Sequence, residues 1–136
     1  MDAELQDEVW ERAGAACECC GMPQALDPLP VQIDHIIAEQ HGGKTESANL
    51  ALACLGCNKR KGPNIAGLIS SGKVVPLFNP RTQEWSRHFR WDGPVLVGRT
   101  HIGQVTVAVL GINRPEYVAF REELSREGLF PFLGVS

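Results

Sequence analysis

The chain has 136 residues, of which 43% are hydrophobic and 21% charged, and a formal net charge of −3 at pH 7. That length suits about one domain with a modest core, small enough for a structural metal to matter to its stability. No apolar run approaches the roughly 20 residues of a membrane span, and the acidic opening Met1-Asp2-Ala3-Glu4 lacks the basic and apolar regions of a signal peptide.

The chain therefore reads as cytoplasmic, where paired cysteines favour metal over disulfide. A weakly acidic total argues against nucleic acid until its distribution is read. Between Lys59 and His101 stand eight bases (Lys59, Arg60, Lys61, Lys73, Arg81, Arg87, Arg90 and Arg99) against Glu84 and Asp92, a net of +6. The remainder carries five bases and fourteen acids, a net of −9. A local field of that kind steers a polyanion whatever the total; the alternative is a solvated basic face.

Residues 4–16 are predicted to be helical, with Leu5, Val9 and Ala13 on one face and acids in the first turns, where the helix dipole favours them. This helix delivers the chain to Cys17. Residues 21–30, with a glycine and three prolines, read as loop. Val31 to Ile37 reads as a strand, Ala38 to Ala48 as a polar loop holding Gly42-Gly43, and Asn49 to Ala53 as a second strand completing a hairpin. A short helix follows over 55–61 and stops at Gly62-Pro63. Ile65, Leu68 and Ile69 have the spacing of a further helical turn before Gly72. Val74 to Pro80 is extended, and Glu84 to Trp91 is aromatic and basic. Thr100 to Ile112 carries β-branched residues but repeats Ile102, Val105, Val109 and Ile112 at helical spacing behind a possible cap at Thr100, and is assigned as helix. A last helix runs from Asn113-Arg114-Pro115 to Glu127, with Gly128 as its stop.

Two Cys-x-x-Cys pairs, Cys17/Cys20 and Cys54/Cys57, bracket the hairpin. In each, the two-residue spacer lets both sulfurs point inward around a turn, and four thiolates close a tetrahedral zinc. The ion is expected to be structural, since no coordination position stays open. Thirty-three residues separate the pairs, more than in a simple zinc ribbon, so the spacer holds structure of its own. Cys19 is a spare thiol.

Cys17-x-x-Cys20, Val31-x-Ile33-Asp34-His35-Ile36-Ile37, Gly42-Gly43, Asn49 to Cys54-x-x-Cys57-Asn58 and Lys61-Gly62 together resemble an HNH endonuclease over roughly residues 12–69. The stretch Leu77-Phe78-Asn79-Pro80-Arg81 through Trp85, His88-Phe89 and Gly98-x-Thr100 resembles an extension of some bacterial members. The resemblance implies an α+β fold: a ββα-metal core stapled by the four-cysteine zinc, with an N-terminal helix and a mixed, partly helical extension over 74–136, all in a single domain. It implies that His35 is the general base that takes a proton from the attacking water, a role suited to an imidazole. The central asparagine of the motif falls on Asn49, whose amide oxygen is expected to accept from the His35 ring. The third motif position is Asn58 rather than histidine. Asp34 and Asn58 would then hold a catalytic divalent cation through oxygen, a set that favours magnesium or manganese, with nickel also open. Adjacent strand residues face opposite sides, so Asp34 and His35 both reach the helix only if the strand is bulged or ends there.

Lys59, Arg60 and Lys61 are assigned to DNA phosphates. Arg87 and Arg90, interleaved with Trp85, Phe89 and Trp91, are expected to grip DNA, with core packing the alternative for the aromatics. His41, His88 and His101 receive no role. The sequence thus points to a metal-dependent HNH endonuclease that hydrolyses DNA phosphodiester bonds. A zinc-binding DNA-binding module without cleavage is the alternative, and a zinc domain that docks proteins is a third class.

Overall fold

The computed structural model describes residues 1–132, and the last four residues of the expected extension lie outside it. Helix α1 (Ala3–Ala13) starts where Asp2 Oδ1 accepts from the Leu5 N–H at 2.8 Å. It ends three residues before the expected Ala16, because Gly14 turns left-handed at φ 63° and its N–H closes on Glu11 and Trp10. Ala15 follows, also at positive φ, and the chain enters the first knuckle, where Cys17 N–H donates to Met22 O and Gly21 N–H to Cys17 O.

Strands β1 (Gln32–His35) and β2 (Leu50–Ala53) pair antiparallel from Gln32↔Ala53 to His35↔Leu50. Both are shorter than expected because the intervening loop folds into single turns at Glu39–His41 and Ser47–Asn49. Helix α2 (Leu55–Lys61) is capped by Cys54, whose sulfur accepts from the Cys57 N–H at 3.4 Å, and stops at Gly62. These three elements are the ββα unit.

The region after α2 departs from the expected helical turn. Residues 66–68 form strand β3 (Ala66–Leu68), paired antiparallel with β4 (Val74–Pro76). The apolar spacing of Ile65, Leu68 and Ile69 is misleading because Gly67 is pressed onto a helix far along the chain. A Cβ on Gly67 would come within 3.0 Å of Val109. That helix, α4 (His101–Leu110), begins at Thr100 as expected, with Thr100 Oγ1 accepting from the Gly103 N–H at 3.1 Å. Before it lie the single turn α3 (Trp85–His88) and a hairpin of β5 (Phe89–Asp92) and β6 (Val95–Gly98). The two-residue connection Gly93-Pro94 has Gly93 at φ 55°, and with proline second, only a type II′ turn fits. Helix α5 (Pro115–Arg126) closes the order, with Pro115 in its first turn.

Helix α4 is the hub, packing against α2, β3, β4 and β6. The main core joins Val9, Leu50, Leu52 and the four knuckle cysteines to Phe78, Phe89, Leu96 and Leu110. Each fully buried leucine or phenylalanine contributes about 1.5–3 kcal/mol. A smaller cluster gathers Leu124, Phe130 and Phe132 under Trp91 and Phe120. Among the described residues no helix is long and apolar enough to cross a membrane.

Candidate active site and metal centre

The knuckles meet at the start of α2. The sulfurs of Cys17, Cys20, Cys54 and Cys57 all lie within 4.8 Å of one another, all four residues are buried, and none forms a disulfide. Cys20 Sγ and Cys54 Sγ are 3.7 Å apart. A zinc–sulfur bond of about 2.3 Å in a tetrahedron places sulfurs about 3.8 Å apart, so the cage fits zinc. Its electrostatics agree. Hydrogen bonds from Cys19 first, and then from the other three knuckle thiols, hold the Cys17 thiol well below the ordinary range, while contact with Cys17 pushes Cys20 and Cys57 well above it. Only a shared cation lets four buried thiols ionise together. Cys19 stays outside this cage, its carbonyl accepting from Trp85 Nε1 at 2.7 Å.

The first knuckle is tied to the hairpin by Glu18. Its N–H donates to Leu52 O and its Oε2 accepts from the Leu52 N–H, both at 2.9 Å, so the knuckle continues the edge of β2. Arg81 from the extension pairs with the same carboxylate. Arg12 from α1 donates to Ser47 Oγ, Ser47 O and Leu50 O.

On β1 the pairing is unbroken, and the strand ends at His35 without a bulge. Alternation then sorts the side chains. Gln32 and Asp34 face α2, where Gln32 Oε1 accepts from Asn58 Nδ2 at 2.6 Å and Asp34 Oδ2 lies 3.2 Å from Lys61 Nζ. Asp34, Asn58 and Lys61 line one small cleft. His35 faces the hairpin loop instead, its Nε2 2.8 Å from Thr45 Oγ1 and 3.7 Å from Glu39 Oε1.

These contacts revise two expectations. Asn49 does not reach the His35 ring. Its Oδ1 accepts from the Ile37 N–H at 2.9 Å, and its Nδ2 donates to Ile37 O and Lys44 O at 3.0 and 2.9 Å. It is a buried clamp on the loop, and Thr45 is the group that meets the imidazole. Lys61, expected at a phosphate, turns its ammonium inward, donating to His35 O at 3.1 Å as well as pairing with Asp34. Thr45 and Glu39 escape the sequence reading. Their one signal is their position in the polar loop that must fold back over the strand end.

Residues 17–64 match the family model described as HNH endonuclease. They form an HNH endonuclease domain. No curated protein and no solved structure matches the chain. The family match, the ββα unit and the zinc cage give a nuclease-type or DNA-binding function with a structural zinc site.

Within the HNH domain, Asp34 carries a physical cost. Burial pushes its carboxyl above the ordinary value, and Lys61 pulls it back only in part. The folded state therefore holds this proton to higher pH than the unfolded chain. The group's contribution to stability falls as pH rises through that window. In Lys61→Met the carboxylate loses its cation, and the fall should become steeper, as read by urea denaturation from mildly acidic to neutral pH. Loss of the buried Asn49 clamp in Asn49→Ala should cost about 1–3 kcal/mol by leaving the Ile37 N–H unpaired, which denaturant titration measures.

The remaining basic residues divide. Lys59, Arg87 and Arg90 are exposed, whereas Arg60 is partly covered and lies against Gly111, where a Cβ would meet its Cδ at 2.8 Å. Phe89 is 1% exposed, and Trp85 packs on Phe89 and Trp91. The aromatics interleaved with Arg87 and Arg90 therefore belong to the core, leaving those arginines as the outward groups.

Proposed function

We propose that the HNH domain hydrolyses phosphodiester bonds in DNA, with His35 as general base and a divalent cation held by Asp34 and Asn58. The observation that carries this reading is the Asp34 carboxylate. Its side chain is only 15% exposed and is compensated by a cation, the Lys61 ammonium, in a cleft shared with the Asn58 amide. A buried carboxylate needs a positive partner. With Asn58 Nδ2 donating to Gln32, its Oδ1 is left as an oxygen donor, and two oxygens suit a hard ion. That ion would stabilise phosphoryl charge and the leaving 3′ oxygen.

The chain's own residues do the rest. Thr45 engages Nε2 of His35, which leaves Nδ1 as the ring nitrogen for the water's proton. Asn49 holds the loop that carries Thr45 against the strand end. Thr45→Val should slow cleavage by less than His35→Ala does, with DNA retention unchanged. Lys59, Arg60, Arg87 and Arg90 supply phosphate contacts, and Lys61 would join them if a divalent ion took its place at Asp34. Neutral substitutions at Arg87 and Arg90 should weaken binding to all sequences alike and lower the salt slope by roughly one unit per lost contact. An unchanged slope would make these arginines a solvated face.

Two observations favour a DNA-binding module that does not cut: Lys61 already satisfies Asp34, and His35 faces the hairpin loop rather than the cleft of Asp34 and Asn58. Supercoiled plasmid incubated with the protein in EDTA, magnesium, manganese or nickel decides between the two. Nicked or linear product that depends on the ion supports the nuclease. DNA retention without product under every ion supports the module.

A further inference from the structure

A groove of about 330 Å³ adjoins the cleft of Asp34 and Asn58 and shares Lys61 with it. It lies between the end of β1, the end of α2 and the β4–α3 connection. Its volume falls within the roughly 300–1,000 Å³ typical of small-molecule sites. Two of its walls are apolar and open to solvent, Ile37 at 43% and Ile65 at 51% exposure. Asn79 and Gln83 also line it.

Those two amides are held in a particular way. Asn79 Oδ1 accepts from the Arg81 N–H, and Gln83 Oε1 accepts from the Asn79 N–H, both at 2.9 Å. The backbone donors settle which end of each amide is oxygen. Gln83 N–H returns to Asn79 O at 3.0 Å, so the turn is closed on itself. Both oxygens are spent inside the turn, whereas neither Asn79 Nδ2 nor Gln83 Nε2 has a partner among the described residues. Aspartate and glutamate would satisfy the same backbone donors. What the amides add is a pair of fixed N–H₂ donors in a groove with an apolar side.

We propose that this groove seats the edge of a nucleobase flanking the scissile phosphate, and that Asn79 and Gln83 read two acceptors on it. Ile37 and Ile65 would flank that edge in a duplex and meet the flat apolar face of an unpaired base. In the major groove the edge that offers two acceptors is that of guanine, with O6 and N7. The inference rests on DNA lying across the cleft of Asp34 and Asn58, which places a neighbouring nucleotide at Lys61 and the groove.

The test is selection of randomised DNA by the full chain, in separate duplex and single-stranded pools, followed by sequencing of the retained molecules. The variants are Asn79→Asp and Gln83→Glu, which keep the internal hydrogen bonds and lose the donors. The added charge weakens binding overall, so base preference is compared at matched occupancy. The expected result is guanine enriched roughly tenfold at one position in the wild type and flattened in both variants. The pool that shows it tells whether the base is read in a helix or unpaired. Retention without any preference, or a preference unmoved by both variants, overturns the proposal. Plasmid cleavage is scored separately. A protein that enriches guanine but never cuts would keep the base-reading groove and lose the nuclease reading. A protein that retains no DNA at low salt would lose both.

Discussion

Removing zinc with a strong chelator is expected to unfold this protein as a whole rather than loosen one end of it. The four cysteines are members of the main core, packed with Val9, Leu52 and Phe89. Binding at such structural sites is worth about 10–16 kcal/mol in small zinc peptides, which matches or exceeds the roughly 5–15 kcal/mol that holds a domain folded. Elemental analysis should find one zinc per chain, and circular dichroism should follow its loss with a cooperative drop in helix. Cys54→Ala should be the most damaging single change, because Cys54 is both a ligand and the cap of α2, and alanine supplies neither. Cys19→Ser should leave the zinc content untouched. A zinc-free preparation that still melts cooperatively at the wild-type temperature would refute the structural role.

The second large effect is on cleavage. His35→Ala should lower the rate by roughly 10²-fold or more while fold, zinc content and DNA retention stay as they are. Among the described residues the ring's polar partners are Thr45 and Glu39, both in an exposed loop, and His35 is not part of the buried core. Asp34→Ala should also abolish cleavage, but by a different route. It removes the oxygen that would hold the divalent ion, and high manganese should restore part of the rate. The two variants are thus told apart by metal titration on plasmid substrate. Cleavage by His35→Ala at the wild-type rate would show that another group takes the proton.

The parts of the molecule that could be read from its sequence are those whose causes are local. The Cys-x-x-Cys knuckles, the hairpin between them, the short helix ended by Gly62 and the Thr100 cap each depend on residues a few positions apart. The strand at Ala66–Leu68 depends on Gly67 meeting Val105 and Val109, about forty residues away, and a short apolar run has no period of its own to decide the matter. The β5–β6 hairpin turns on Gly93-Pro94, which lacks the Asn-Gly or Asp-Gly that marks a two-residue turn in a sequence. Of the candidate site, the sequence named Asp34, His35, Asn49 and Asn58 but neither Thr45 nor Glu39, and none of the contacts. Whether Asn49 bonds His35 or the loop, and whether Lys61 faces phosphate or Asp34, depends on how a helix is phased against a strand. Only docking of the two elements decides that.

The link from Arg81 back to Glu18 has a consequence for portability. HNH domains are attractive as transplantable cutting units, and residues 12–69 look like a natural excision. Here the far side of that unit is finished by α4, Phe78 and Phe89, and the carboxylate that extends the edge of β2 is neutralised from the tail. A fragment ending at residue 69 should come out of cells as aggregate, with Leu50, Leu52 and Glu18 uncovered, whereas a chain that keeps the extension should travel as a unit. Insertions are then best tolerated at the Ser70-Ser71-Gly72 tip of the exposed β3–β4 hairpin.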